Sequence, residues 1–244
     1  MDVRQLIRNL DRALMEAGAE RELLSRVEGF PIYAYSLIKE QSERTVYLSS
    51  GMHGDEPAGP LALLELVNSG LLAEACSWRI CPILNPTGLE RGQRENYQGI
   101  DLNRDYLKRE SREIASHVKW LEGKSMDFAI SLHEDWESTG FYFYEINQVE
   151  DRPQRYQRMV EAITPVMQME SEKVIDAHNV RDLGWIYHGC EPDEPKNWPE
   201  AIYLAKLGCA LSFTFETPSS VELESRVEAH KVAVRSALRL CVAN

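Results

Sequence analysis

The stretch that decides the fold is Val46-Tyr47-Leu48-Ser49-Ser50-Gly51-Met52-His53-Gly54-Asp55-Glu56-Pro57-Ala58-Gly59. A run of strand length meets a glycine-flanked turn that carries a histidine and a glutamate. Pro57 then stands at the start of a helical run over 58–68, which Gly70 closes. A strand that passes through a short turn into a helix is the repeating unit of an α/β sheet. Working outward, the alternation recurs. Strands are predicted over 30–38, 45–50, 78–84, 127–132, 140–146 and 210–215, and helices over 110–121, 154–169, 199–207 and 221–242. Val3, Leu6, Ile7, Leu10, Ala13 and Leu14 lie at helical spacing, so 1–30 is expected to be an N-terminal helical extension. Residues 85–88 read as a turn, 88–106 as a long polar loop, and the proline-containing stretch 189–199 as irregular. The expectation is one α/β domain over 1–244, with a mixed, mostly parallel central sheet and helices on both faces.

Composition narrows the function. The net charge is −12 and no basic stripe is visible, so nucleic acid is not an expected partner. The longest apolar runs, such as 61–64 and 211–215, are too short to span a bilayer, and no membrane partner is expected. Residues 1–8 alternate charged and apolar side chains rather than forming the apolar core of a signal peptide, which predicts a cytoplasmic address. The five cysteines form no C-x-x-C pair and are odd in number. They argue against a disulfide framework or a cysteine metal site and for reduced, partly buried thiols.

Three predicted strands each end in ionisable residues. The run 46–51 leads into His53 and Glu56, 128–132 into His133, and 211–215 into Glu216. In open α/β sheets ligands bind beyond the carboxyl ends of the strands, so parallel neighbours would bring these side chains to one rim. Two imidazoles and one carboxylate offer zinc three ligands and leave a fourth position open for water, as a catalytic site requires. Glu216 is a spare carboxylate that can take a proton from that water and pass it to a leaving amine. An H-x-x-E pair alone is weak, since roughly 0.7 such pairs are expected by chance in a chain of this composition. His188/Glu191 is another, read as coincidence or a substrate-facing loop. His188, Glu191 and Glu134 are also the residues from which a second ion could draw ligands, although Glu134 would point away from His133 if its strand continues. The loop over 91–104 is rich in donors, and arginine suits the capture of a carboxylate or an oxyanion, although Arg91 reads better as a solvated residue with surface salt bridges.

The pattern resembles the zinc carboxypeptidase family, including its relatives the succinylglutamate desuccinylases and aspartoacylases. The matching segments are Gly51-Met52-His53-Gly54-Asp55-Glu56-Pro57-Ala58-Gly59, Asn85-Pro86-Thr87-Gly88, Arg94-x-Asn96-x-x-Gly99-x-Asp101-Leu102-Asn103-Arg104, Ser131-Leu132-His133 and Phe213-Thr214-Phe215-Glu216, in the family's order. The resemblance implies zinc held by His53, Glu56 and His133, with Glu216 as the carboxylate that activates water. It implies Arg94 as the group that polarises the scissile carbonyl, and Asn103 and Arg104 as the grip on a substrate carboxylate. The mobile-loop tyrosine of the family's peptidases has two candidates here, Tyr187 and Tyr203, of which Tyr187 is preferred. Trp136, Tyr142 and Tyr144 are candidates for a specificity pocket. The implied activity is cleavage of an amide beside a free carboxylate, on a small peptide or an acylated amino acid. The alternatives are deacylation of N-acyl amino acids and, in another class, a metal- or carboxylate-binding module without turnover; the spare Glu216 speaks against the last.

Overall fold

Helix α1 (Val3–Glu16) begins where the Asp2 side chain accepts the Gln5 N–H at 2.9 Å, and it buries the apolar stripe that its spacing predicts. The computed structural model describes residues 1–241, so the predicted helix end at Val242 lies outside the described residues. Strands β1 (Glu20–Val27), β2 (Phe30–Leu37) and β3 (Thr45–Ser50) precede helix α2 (Ala58–Asn68), strand β4 (Ser77–Cys81) and helices α3 (Pro86–Arg91) and α4 (Arg112–Leu121). Strands β5 (Phe128–Asp135) and β6 (Tyr142–Asn147), helix α5 (Pro153–Ile163) and the short strands β7 (Val174–Ile175), β8 (His178–Asn179) and β9 (Trp185–His188) follow. Helix α6 (Glu200–Lys206), strand β10 (Leu211–Pro218) and helix α7 (Leu223–Cys241) complete the domain.

Eight strands form one sheet in the order β1-β2-β4-β3-β5-β10-β6-β9, while β7 and β8 pair by themselves. The central neighbours β4, β3, β5 and β10 are parallel, with antiparallel pairs toward both edges. This is the mixed, mostly parallel sheet expected. Side-chain alternation then sorts the two faces. Val46, Leu48, Phe128, Ile130, Leu132, Phe213 and Phe215 pack with α1, α2, α5 and α7, whereas Tyr47 and Ala129 face α4 and α6. Burying a large apolar side chain of this kind contributes about 1.5–3 kcal/mol. Among the described residues no helix is long and apolar enough to cross a membrane.

Two readings need correction. The stretch 1–30 is not a helical extension: past α1 it forms β1, an edge strand of the main sheet. Its residues Glu20, Arg21, Glu22 and Leu23 are all exposed, so the apolar alternation that marks a half-buried strand is missing. Charged residues of this kind also keep an edge from pairing with another chain. The second correction is at 85–91, which is helical rather than turn and loop. Asn85 caps α3 by accepting the Gly88 N–H at 2.8 Å, with Pro86 in the first turn.

Candidate metal and active site

The segment after β3 is held by close backbone approach. A Cβ on Gly54 would lie 1.9 Å from the carbonyl carbon of Gly88, so only glycine lets the His53 turn pack on α3. The Gly54 N–H and the Asn85 side-chain amide both donate to the Arg94 carbonyl, at 3.3 and 3.1 Å. One cluster of small residues and a cap thus ties the His53–Glu56 turn to the loop that carries Arg94.

Register brings the other strand ends to the same rim. Glu216 on β10 pairs with His133 on β5 and, on its other side, with Tyr142 on β6. Alternation places Ser131 and His133, Thr214 and Glu216, and Tyr142 and Tyr144 along one cavity of about 720 Å³, which His53, Glu56 and Arg94 also line. Glu134, one residue on, turns to the opposite face. It is buried there, accepts the Ala58 N–H at 2.6 Å and pairs with Arg226 of α7. Glu134 therefore anchors the start of α2 and is not a ligand.

His53, Glu56 and His133 are buried, and their ligand atoms lie within 4.8 Å of one another. Nδ1 of His53 is 2.6 Å from Glu56 Oε1, and Nδ1 of His133 is 2.9 Å from Oε2. Asp101 stands behind this group, a role that reading the sequence alone did not assign. Its Oδ1 lies 3.1 Å from Nε2 of His53, and its Oδ2 accepts the Arg94 Nε–H at 3.1 Å. A carboxylate on the outer nitrogen of an imidazole fixes the ring and its tautomer so that the inner nitrogen faces a metal. The donor set, buried yet open to a cavity, fits a divalent ion with three protein ligands.

The charges agree. Burial alone would raise the Glu56 carboxyl, but His53 and His133 pull it well below the usual range. Burial would lower His53, but Glu56 and Asp101 push it up to about 9. His53 therefore carries a proton at neutral pH in the metal-free protein, and a metal must displace it. Sign follows directly: below pH 9 the ion competes with that proton, so affinity rises with pH. We expect zinc affinity to increase about tenfold per pH unit between pH 7 and 9 for one displaced proton, then flatten. Chelator competition at several pH values checks this, and a flat profile would count against it.

Glu216 is half-buried. Burial raises its carboxyl well above the usual range, and Glu56 and Asp135 raise it further. Arg94 is 37% exposed and its Nη1 lies 3.5 Å from Glu56, so its guanidinium reaches the cavity at the edge of the ligand group. Asn103 and Arg104 line the cavity as well. Asn103 Oδ1 accepts the Glu200 N–H at 2.9 Å, and Arg104 Nη1 donates to the Asn103 carbonyl at 2.9 Å. Trp136, Tyr142 and Tyr144 all line it.

Tyr187 does not. On β9 the alternation sends His188 into the cavity and Tyr187 to the opposite face, where it lies edge-on to Trp185 and under Arg181. That assignment is corrected, and Tyr203 fares no better, since it is buried with Tyr106. The tyrosines that reach the cavity are Tyr142 and Tyr144, which donate to Asp135 and Asp176 at 3.0 and 3.1 Å. Glu200 was also missed. It is buried, and it accepts hydroxyls from Tyr47, Ser49, Ser131 and Tyr106 at 2.6, 2.6, 2.6 and 3.0 Å. His117, kept neutral by burial with its pKa down to about 4, bridges Tyr47 and Tyr106. This network braces the cavity floor from the α4 and α6 side.

The model of the succinylglutamate desuccinylase/aspartoacylase catalytic domain matches residues 42–234, most of the chain. The chain belongs to this family. As a catalytic domain of the desuccinylase/aspartoacylase family it is an enzyme, a hydrolase. Its fold matches a candidate metallopeptidase from Shewanella denitrificans with a TM-score of 0.85 at 24% identity, covering 100% of this chain and 92% of that one. A metallo-carboxypeptidase from Burkholderia cenocepacia matches with a TM-score of 0.70 at 18% identity, covering 96% and 67%. At such identities the likeness concerns the fold. Carboxypeptidase SOL1 of Arabidopsis thaliana is 30% identical over 132 residues, which are 44% of this chain and only 27% of that protein.

Proposed function

We propose that this desuccinylase/aspartoacylase-family domain is a zinc-dependent hydrolase that cleaves an amide bond next to a free carboxylate. The observation that carries the reading is the register that sets Glu216 beside His133, with Arg94, Asn103 and Arg104 on the same cavity. A zinc ion held by His53, Glu56 and His133 would supply a Lewis acid for water and for the amide carbonyl. Glu216 accepts a proton from the attacking water and returns it to the leaving amine. The Arg94 guanidinium faces the charge that develops on the carbonyl oxygen. Arg104 and Asn103 bind the substrate carboxylate, and Asp101 orients both His53 and Arg94.

Within this chemistry two substrate classes compete. The fold neighbours favour release of a C-terminal residue from a small peptide. The family match favours deacylation of an N-acyl amino acid. A panel of short peptides and of succinyl- and acetyl-amino acids, each with a carboxamide-blocked twin, separates them. We expect one class to turn over and its blocked twins to lose at least about a hundredfold in kcat/KM, the scale of a missing charged anchor. Equal turnover of acids and blocked twins would overturn carboxylate recognition. A cytoplasmic address belongs to the same proposal and is supported by five unpaired cysteines.

A further inference from the structure

The far wall of the cavity holds another cluster with metal-ligand geometry: His178 on β8, His188 on β9 and Asp193 in the loop that follows. We infer that these three residues form a second divalent-metal site, which pins the wall of the pocket opposite His53, Glu56 and His133. The inference does not rest on the first site being occupied.

The distances carry it. Nε2 of His178 lies 3.2 Å from Asp193 Oδ1, and Nε2 of His188 lies 3.3 Å from the same oxygen. Zinc–nitrogen and zinc–oxygen bonds of the usual lengths, arranged tetrahedrally, set neighbouring ligand atoms about 3.3 Å apart. All three ligand atoms fall within 4.8 Å of one another, so one ion can reach them together.

The tautomer is set as a metal ligand needs it. Nδ1 of His188 is 2.6 Å from the Gly189 carbonyl, which can only accept, so that nitrogen carries the proton. In the neutral ring Nε2 then offers its lone pair toward Asp193, the arrangement in which an outer hydrogen bond orients a ligating imidazole. Tyr144 packs edge-on against both rings, at centroid distances of 5.5 and 6.2 Å, and holds them side by side. His178 Nδ1 is buried without a hydrogen-bond partner, so the ring has nothing behind it to turn for. Glu191, the other half of the H-x-x-E match at this place, is exposed and pairs with Lys206, so the ligand set is not the one that motif suggests.

The site spans three pieces of chain, two of which also share an apolar cluster of Ile175, Ile186, Tyr142 and Tyr144. β7 and β8 make a two-stranded ribbon outside the main sheet, β9 is its last strand, and Asp193 stands in an irregular loop. An ion bound here would tie them together, and it would present any remaining coordination position to the cavity that a substrate enters.

The test is metal stoichiometry on chelator-stripped protein titrated with zinc alone. Two ions per chain are expected in the unaltered protein, and one in each of His188→Ala, His178→Ala and His53→Ala. Asp193 lies on an exposed loop, so Asp193→Ala keeps the fold and is expected to weaken one of the two sites at least tenfold. In the His53→Ala background zinc should still raise the thermal midpoint, and adding His188→Ala should abolish that rise. One ion in the unaltered protein, lost in His53→Ala and kept in His188→Ala, would overturn the second site while leaving the proposed catalytic one standing. One ion kept in His53→Ala and lost in His188→Ala would uphold the second site and remove the metal from the first.

Discussion

Glu216→Gln is expected to abolish hydrolysis while keeping the metal and the fold. Removing a general base and acid typically costs 10²- to 10⁴-fold, and the amide of glutamine can do neither task. The three proposed metal ligands are untouched, so zinc content should not change. Stability should move the other way from activity. Burial and the neighbouring Glu56 and Asp135 push the Glu216 carboxyl well above its ordinary range. A carboxyl raised in the folded state contributes stability only below its unfolded pKa, and that contribution is lost as pH rises through the folded value. At neutral pH the native residue is thus held in an unfavourable place, as active-site residues often are. Metal-free Glu216→Gln should therefore melt no lower than the unaltered protein, with its advantage growing as pH rises. Thermal melts at several pH values, zinc analysis and single-turnover rates give the three readouts. Retained activity would remove Glu216 from the mechanism. Lost activity together with lost zinc would make it a structural residue.

How far the site could be read from the sequence follows from where its signals are written. The candidate ligands His53, Glu56 and His133 and the carboxylate Glu216 stand at the ends of buried parallel strands, whose apolar runs are their own signal. Period-two alternation even placed Glu134 on the wrong face for a ligand, and the structure turns it toward α2 and α7. Tyr187 failed by the same rule: the short β9 sends alternate residues to opposite faces, and His188, not Tyr187, is the one that looks inward. β1 escaped notice because an edge strand needs no apolar face. Glu200 and Asp193 were illegible for another reason. A carboxylate that caps no motif and opens a short helix, or sits in a loop among prolines, reads as solvated until the tertiary fold sets hydroxyls or imidazoles around it. Asp101 lay inside a matched segment, but its partners His53 and Arg94 are 48 and 7 residues away, and only the folded chain brings both to one carboxylate.

Arg94→Met is the other substitution with a large expected effect, and its geometry says which kinetic constant should move. The Nε–H of Arg94 is committed to Asp101 at 3.1 Å, which turns the remaining nitrogens toward Glu56 and the cavity. A group fixed there faces the ligand atoms, where charge develops on a carbonyl oxygen. Loss of one such donor typically costs about 10²- to 10³-fold in kcat, with a smaller effect on KM. Arg104 is placed differently. It is exposed, braced on the Asn103 carbonyl at 2.9 Å, and belongs to the part of the cavity assigned to the substrate carboxylate. Arg104→Met should therefore raise KM more than it lowers kcat. Arg94→Lys keeps a charge but cannot bond Asp101 and face the cavity at once, so it should recover only a small part of the lost rate. Steady-state kinetics on the three variants, at equal zinc content, tests the division. A rise in KM alone for Arg94→Met would make Arg94 a second carboxylate anchor, and the developing negative charge would then need another donor among the residues that line the cavity.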